Sequence, residues 1–166
     1  MLRRTAALLF VFLACSPLAA QDEPGLQVEL FGASVHLYDE GEQANDQMYG
    51  LRGAYRFTAR WAVEAALAKL DDDEADAYVG DLSARYTFAR LERFSLYAVA
   101  GPGLIRVQLD DEDFDVDEDT YHFGLGAEIP LGEKGYLRPD VRGRRYVDSN
   151  IDGTLVDYSV GFGWRF

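Results

Sequence analysis

Arginine and carboxylate residues recur at alternate positions along much of this chain. Arg138, Asp140, Arg142 and Arg144 share one phase, as do Arg52 and Arg56. Spacing of two puts residues on one face of a β-strand. Carried through the sequence, this phasing sets Arg52, Arg56, Arg85, Arg106, Arg138, Arg142, Arg144 and Arg165 on polar strand faces. Glu64, Asp81, Glu128, Asp140 and Asp157 join them there. If those faces meet, two chemistries are open. One is an arginine-lined path for anions or protons. The other is a mutually neutralising plug of ion pairs. Mixed signs favour the plug, because an unpaired buried charge costs several kcal/mol.

A second group could bind hard cations, which prefer carboxylate oxygens. Asp71-Asp72-Asp73-Glu74 is one acidic run, and eight of the ten residues in 110–119 are acidic. Asp110, Asp111, Asp113, Asp115 and Asp117 are the candidate ligands. The run is not an EF-hand: counting from Asp111, the sixth position is Val116 instead of Gly and the twelfth is His122 instead of Glu. The expectation is no resident cofactor, with Ca²⁺ or other divalent cations at these segments as the secondary reading. One cysteine, Cys15, and two distant histidines, His36 and His122, cannot build a zinc site. A net charge of −13 argues against nucleic acid as a partner.

The elements that position these residues are short alternating segments. They are expected at 26–38, 48–58, 61–70, 78–88, 94–109, 120–129, 136–147 and at the C-terminus. In the second, Tyr49, Leu51, Tyr55 and Phe57 oppose Met48, Arg52, Ala54 and Arg56. In the fifth, Tyr97, Val99, Ile105 and Val107 form the apolar face, with Gly101-Pro102-Gly103 predicting a bend or bulge. Pro139 predicts a local irregularity in the seventh. The alanine-rich third also has helical propensity. Tyr158, Val160, Phe162, Trp164 and Phe166 make the last segment apolar on one face up to the final residue.

Hydrophobic residues are 48% of the chain, yet mean hydropathy is only −0.18. Strands with one lipid face and one polar face average out in this way. The N-terminus reads as a secretory signal over 1–20. Arg3 and Arg4 precede an apolar run too short to span a bilayer, and Leu18-Ala19-Ala20 offers a cleavage site. The rival reading lipidates Cys15. The expected connections alternate between short (58–60, 89–93, 131–135) and longer polar ones (39–47, 71–77, 110–119, 148–154). Outer-membrane barrels have short periplasmic turns and longer external loops.

The chain therefore resembles the small eight-stranded outer-membrane barrels of the OmpA/OmpX type, over the signal and all of 21–166. That resemblance implies an all-β, eight-stranded antiparallel up-and-down transmembrane barrel in the bacterial outer membrane. It implies a monomer in contact with outer-membrane lipid and lipopolysaccharide. The alternate residues ending at Phe166 resemble the signal read by the barrel-assembly machinery. No periplasmic peptidoglycan-binding domain is expected after Phe166. Two lipid-modifying barrel enzymes are less well matched. Lipid A deacylases use His-x-Ser, but here His122 is followed by Phe123 and Gly124. The palmitoyltransferase places a His, an Asp and a Ser at its external rim, faintly echoed by His36, Asp81 and Ser83. The expected role is non-enzymatic: structural, or surface interaction through acidic external loops. A lipid A-modifying enzyme and a narrow pore are the alternatives. A soluble lipocalin-type barrel is the alternative fold.

Overall fold

The computed structural model describes residues 24–39, 42–71, 76–108, 115–147 and 154–166. The proposed signal segment and Cys15 lie outside them. Eight strands follow one another: β1 Gly25–Asp39, β2 Glu42–Arg56, β3 Trp61–Asp71, β4 Asp76–Arg90, β5 Ser95–Gln108, β6 Asp115–Leu131, β7 Gly135–Tyr146 and β8 Thr154–Arg165. Each pairs antiparallel with its chain neighbour, and β8 returns to β1 to close the barrel. Closure satisfies the backbone polar groups of both would-be edges, which a strand in hydrocarbon requires. The alanine-rich segment is strand β3, because its pairing with β2 and β4 overrides a weak helical preference.

At one rim the turns are tight. Thr58 Oγ1 accepts hydrogen bonds from the backbone N–H of Arg60 at 3.2 Å and Trp61 at 2.9 Å, stapling the β2–β3 turn. Gly132 takes φ +74° in the β6–β7 turn, a conformation that favours glycine. At the other rim the strands run much further than their polar sequences suggest. β1 and β2 stay paired to Asp39↔Glu42, so the expected connection at 39–47 is mostly hairpin. β6 begins at Asp115, inside the expected acidic loop. Ladder hydrogen bonds come from the backbone and are indifferent to side-chain charge. The short-long contrast in connections is thus largely a contrast in hairpin height.

At Gly101-Pro102-Gly103, where a bend or bulge is expected, no register-shifting bulge forms. The β4–β5 ladder skips Leu82–Ser83 opposite Gly101–Pro102 but keeps its register, since Pro102 has no N–H to donate. The register shift comes lower, between Thr87 and Ala89. A similar gap without slippage faces Pro139 in β6–β7.

Around the middle of the barrel, Leu30, Leu51, Leu82, Leu125 and Phe162 are exposed on the outside. Tyr49, Tyr78, Tyr121 and Tyr158 flank this belt on the side of the tall hairpins. Tyr55, Phe57, Phe88, Trp164 and Phe166 flank it on the other. Apolar bands between aromatic girdles are the outer surface of a barrel in lipid. This arrangement excludes the lipocalin-type alternative, which would put charge outside. Beyond the four tyrosines the sides exchange character. Val35, Met48, Val79 and Ile105 form a buried apolar cluster inside, while Gln47, Asp119 and Arg145 are exposed outside.

Candidate functional site

The lumen residues are presented by alternation on all eight strands, and they collect into three tiers. At the centre Glu29, Glu64 and Asp140 meet Arg52, Arg138 and Arg142. Glu64 pairs with Arg138 at 3.0 Å and with Arg142 at 2.9 Å. Asp140 lies 3.1 Å from Arg142 and 3.4 Å from both Arg52 and Arg138. Glu29 pairs with Arg52 and, at 3.4 Å, with Arg138. Three guanidinium groups against three carboxylates leave this tier neutral. Arg138 and Glu64 are each only 1% exposed.

Tyr97 locks the tier. Its hydroxyl accepts from Arg138 Nε at 2.6 Å and donates to Asp140 Oδ2 at 2.9 Å. Ser159 Oγ donates to the other oxygen of Asp140 at 2.5 Å. Room for the tyrosine comes from the facing strand. A Cβ at Gly126, the register partner of Tyr97, would lie 2.2 Å from its hydroxyl oxygen. Tyr136 stands over Gly163 in the same way. A bulky ring over a bare glycine fills a narrow bore without strain.

The tier nearest the tight turns centres on Glu128, which pairs with Arg165 at 2.7 Å, Arg56 at 3.2 Å and Arg85 at 3.5 Å. Arg85 also donates to Gln27. The third tier holds Asp81, with bonds of 2.6 Å and 2.9 Å from Arg144. Asp157 sits 4.0 Å from Arg144. Above the central tier a cavity of about 10 Å³, bounded by Phe31, Arg52, Asp81, Arg142 and Asp157, has room for roughly one water.

Arg106 is a correction. It was expected in the lumen, but it is on the outside of β5, paired with Asp117 through Nε at 2.7 Å and Nη2 at 2.8 Å. The phase of β5 is opposite to the expected one, because Tyr97, Val99 and Ile105 point inward and are buried. Tyr97 and Val99 face the bare Gly126 and Gly124 of β6, and the lumen needs their bulk. Glu29, Gln27, Tyr97 and Tyr136 were missed as lumen residues. The legible signal was the glycine at each tyrosine's partner position.

Of the candidate cation ligands, Asp117 is the exposed partner of Arg106, and Asp115 starts β6. Asp110, Asp111 and Asp113 lie outside the described residues. Among the described residues no group of His, Cys, Asp or Glu is arranged to hold a metal.

His36, Asp81 and Ser83 are not brought together. His36 faces outward beside Tyr158, edge to face at 5.6 Å. His122 takes its place: Ser83 Oγ is 2.8 Å from His122 Nε2, and His122 Nδ1 is 3.5 Å from Asp81. The order matches a nucleophile, a base and an orienting acid. However, Ser83 is 3% exposed and His122 2%, and neither borders the small cavity. The grouping is packed as a hydrogen-bonded lumen cluster.

A closed eight-stranded barrel with an apolar girdled belt matches one known profile. The outer membrane protein beta-barrel domain aligns with residues 5–166. The chain belongs to the outer membrane protein beta-barrel family. Its place is the bacterial outer membrane. No curated protein matches. Among solved structures, Neisserial surface protein A is 15% identical at a TM-score of 0.73, covering 85% of this chain and 97% of that one. The N-terminal barrel of Pseudomonas aeruginosa OprF is 16% identical at 0.65, covering 87% and 100%. Yersinia pestis Ail, bound to the heparin analogue sucrose octasulfate, is 17% identical at 0.66, covering 87% and 100%. At these identities the likeness to this family member is one of fold. In the family's usual orientation, the tight turns are periplasmic and the tall hairpins external.

Proposed function

We propose that this protein is a non-enzymatic, monomeric outer-membrane barrel that serves as a rigid surface platform, its lumen closed by ion pairs. The observation that carries this reading is the central tier. Six charges from four strands neutralise one another, and an eight-stranded bore is just wide enough for side chains to fill it. A path for ions would need those pairs to separate in a low-dielectric interior, which is costly. Planar-bilayer recording tests this: the expected trace is flat, and steady conductance would instead make the protein a narrow pore. Mass spectrometry of lipid A from cells with and without the protein tests the enzymatic alternative. An altered acyl pattern would overturn the non-enzymatic reading.

The external partner is cationic. Ail's crystallised ligand is an anionic heparin analogue, but the external segments here include Asp71-Asp72-Asp73-Glu74 and the acidic run at 110–119. Acidic segments of this kind repel sulfated polymers and attract basic polypeptides or divalent cations. Calorimetry of the refolded barrel with Ca²⁺ is expected to show binding at millimolar ion or below, and no heat in that range would remove the cation reading. Phe166 and its alternate neighbours serve delivery by the barrel-assembly machinery. Replacing Phe166 by Asp is expected to lower the amount of folded barrel in the membrane without altering its stability once folded.

A further inference from the structure

The tiers of the lumen differ in charge. The central one sets three guanidinium groups against three carboxylates. The tier nearest the tight turns sets three, Arg56, Arg85 and Arg165, against the single carboxylate of Glu128. Arg85 Nη1 also lies 3.7 Å from Glu64 Oε2, but Glu64 already pairs with Arg138 and Arg142. Two positive charges are therefore left over at this end of the bore. The turns beneath do not neutralise them. Arg60, Arg90, Arg93 and Lys134 there outnumber Glu92, Glu133 and a carboxylate at Phe166. A chain with a net charge of −13 thus keeps one basic end.

The same tier is short of acceptors. Glu128 Oε1 accepts from Nη2 of both Arg56 and Arg165, at 3.2 Å and 2.7 Å. Gln27 Oε1 accepts from Arg85 Nη2. Gln27 Nε2, Arg85 Nη1 and Arg165 Nε are buried donors with no hydrogen-bond partner among the described residues. Gln27 is 2% exposed and Arg85 3%. Arg85 Nη1 is directed into the cluster, 3.5 Å from Glu128 Oε2. Aromatic rings back two of the cations: the Arg85 guanidinium lies 5.5 Å from the Tyr97 ring centre, and that of Arg165 lies 5.2 Å from the Tyr136 ring centre. The side chains of Arg56 and Arg165 are 21% and 27% exposed, so the cluster opens to water at the mouth. Water can accept from such donors but leaves the two charges in place. An oxyanion answers both the donors and the charge.

We infer that the turn-side mouth of the lumen binds one small oxyanion of the phosphate class. Its oxygens accept from Arg56 and Arg165 at the open side, with Arg85 and Gln27 as donors behind them. A doubly charged oxyanion matches the two charges left over. The mouth lies within the ring of strands, which stands between it and the leaflet headgroups, so the ion comes from the periplasmic solution. The basic turns raise the local concentration of anions there. This goes beyond the platform role and rests only on the lumen geometry and the orientation of the barrel.

NMR of the arginine Nε–H groups tests the site in the full refolded protein, held in maltoside micelles that contain no lipid phosphate. Inorganic phosphate is expected to shift the Arg165 resonance, identified by its loss in Arg165→Gln, and to saturate at millimolar ion. Sodium chloride at matched ionic strength should leave that resonance in place. Arg56→Gln should weaken phosphate binding about tenfold, as expected for the loss of one charge-assisted contact. Glu128→Gln removes the opposing charge and should tighten binding, a gain that a merely hydrated cluster would not show. Arg56 is partly exposed, so its variant carries the test if Glu128→Gln does not give the heat-modifiable folded band. Arg145→Gln, in the external half, should bind like the original protein. No saturable shift, an equal response to chloride, unchanged affinity in Arg56→Gln or weaker binding by folded Glu128→Gln would each overturn the inference. So would an Arg165 resonance already shifted in phosphatidylglycerol vesicles before phosphate is added, which would make a lipid headgroup the occupant.

Discussion

Below its external tyrosines the barrel turns Leu30, Leu51 and Phe162 outward and Glu29, Arg52 and Arg138 inward. Above them it turns Gln47, Asp119 and Arg145 outward and Val35, Met48 and Ile105 inward. The same strands carry both arrangements, and the one register shift among the described pairings, between Thr87 and Ala89, lies well below the change. The lower half is solvated by lipid and has a polar interior. The upper half has the polarity of a small water-soluble β-barrel. Pairing and closure do not depend on which face is apolar. Only the surrounding medium decides that, strand by strand and height by height. The small cavity bordered by Phe31 and Met48 on one side and Arg52 and Asp81 on the other marks the change of regime.

The comparison is most sharply tested at Arg138. Replacing it with Ala leaves three buried carboxylates facing two guanidinium groups, and about 3–5 kcal/mol of stability should be lost. Urea unfolding of the protein refolded into lipid vesicles measures this. A loss below about 1 kcal/mol would mean the central tier behaves as though solvated.

A paired substitution tests the outer surfaces. Leu30→Arg, in the belt, should cost roughly 2–4 kcal/mol, whereas Gln47→Arg, in the upper half, should be within about 0.5 kcal/mol of neutral. Equal costs in the same unfolding assay would erase the boundary. The upper core gives a smaller and opposite contrast. Ile105→Ala should cost about 2–3 kcal/mol as a buried deletion. Leu82→Ala, on the lipid face in the middle of the belt, should cost under about 1 kcal/mol, because lipid refills the space.

The smallest effect is electrostatic. The hydrogen bonds from Arg106 hold the Asp117 carboxyl below the usual carboxylate range. A depressed value means that its contribution is present above the ordinary carboxylate pKa and is lost as pH falls through the lowered one. NMR titration of the Asp117 carboxyl carbon should show a midpoint below that of a free aspartate, and Arg106→Gln should bring it back. Because the pair is exposed, unfolding midpoints should barely change between the two variants.

Strand number, neighbour order and the phase of most strands were legible in the sequence. In β2, β4, β6, β7 and β8, large apolar residues alternate with charged or small ones, so bulk and charge agree on which face meets lipid. The disagreements came where the two regimes share a strand. β1 carries Gln27 and Glu29 inward low down, but Phe31, Ala33 and Val35 inward higher up, so no single polarity labels its faces. In β5 the outward residues Ala98, Ala100 and Pro102 are small while Tyr97, Val99 and Ile105 fill the lumen. Periodicity reports that faces alternate and leaves open which is inside. The tiers themselves follow from shear between strands, which joins Arg138 to Glu64 across the bore and has no trace in local spacing.

The seam between β1 and β8 carries one more consequence. The N–H of Phe166 bonds to the carbonyl of Leu26 at 2.9 Å, so the earliest strand is completed by the latest. Until β8 arrives, β1 presents an open edge able to recruit any passing strand, its own or another chain's. No local hairpin can relieve that exposure, and closing so large a ring is entropically slow. The same bond that makes the finished ring edgeless is thus one the chain can form only when its last strand is in place.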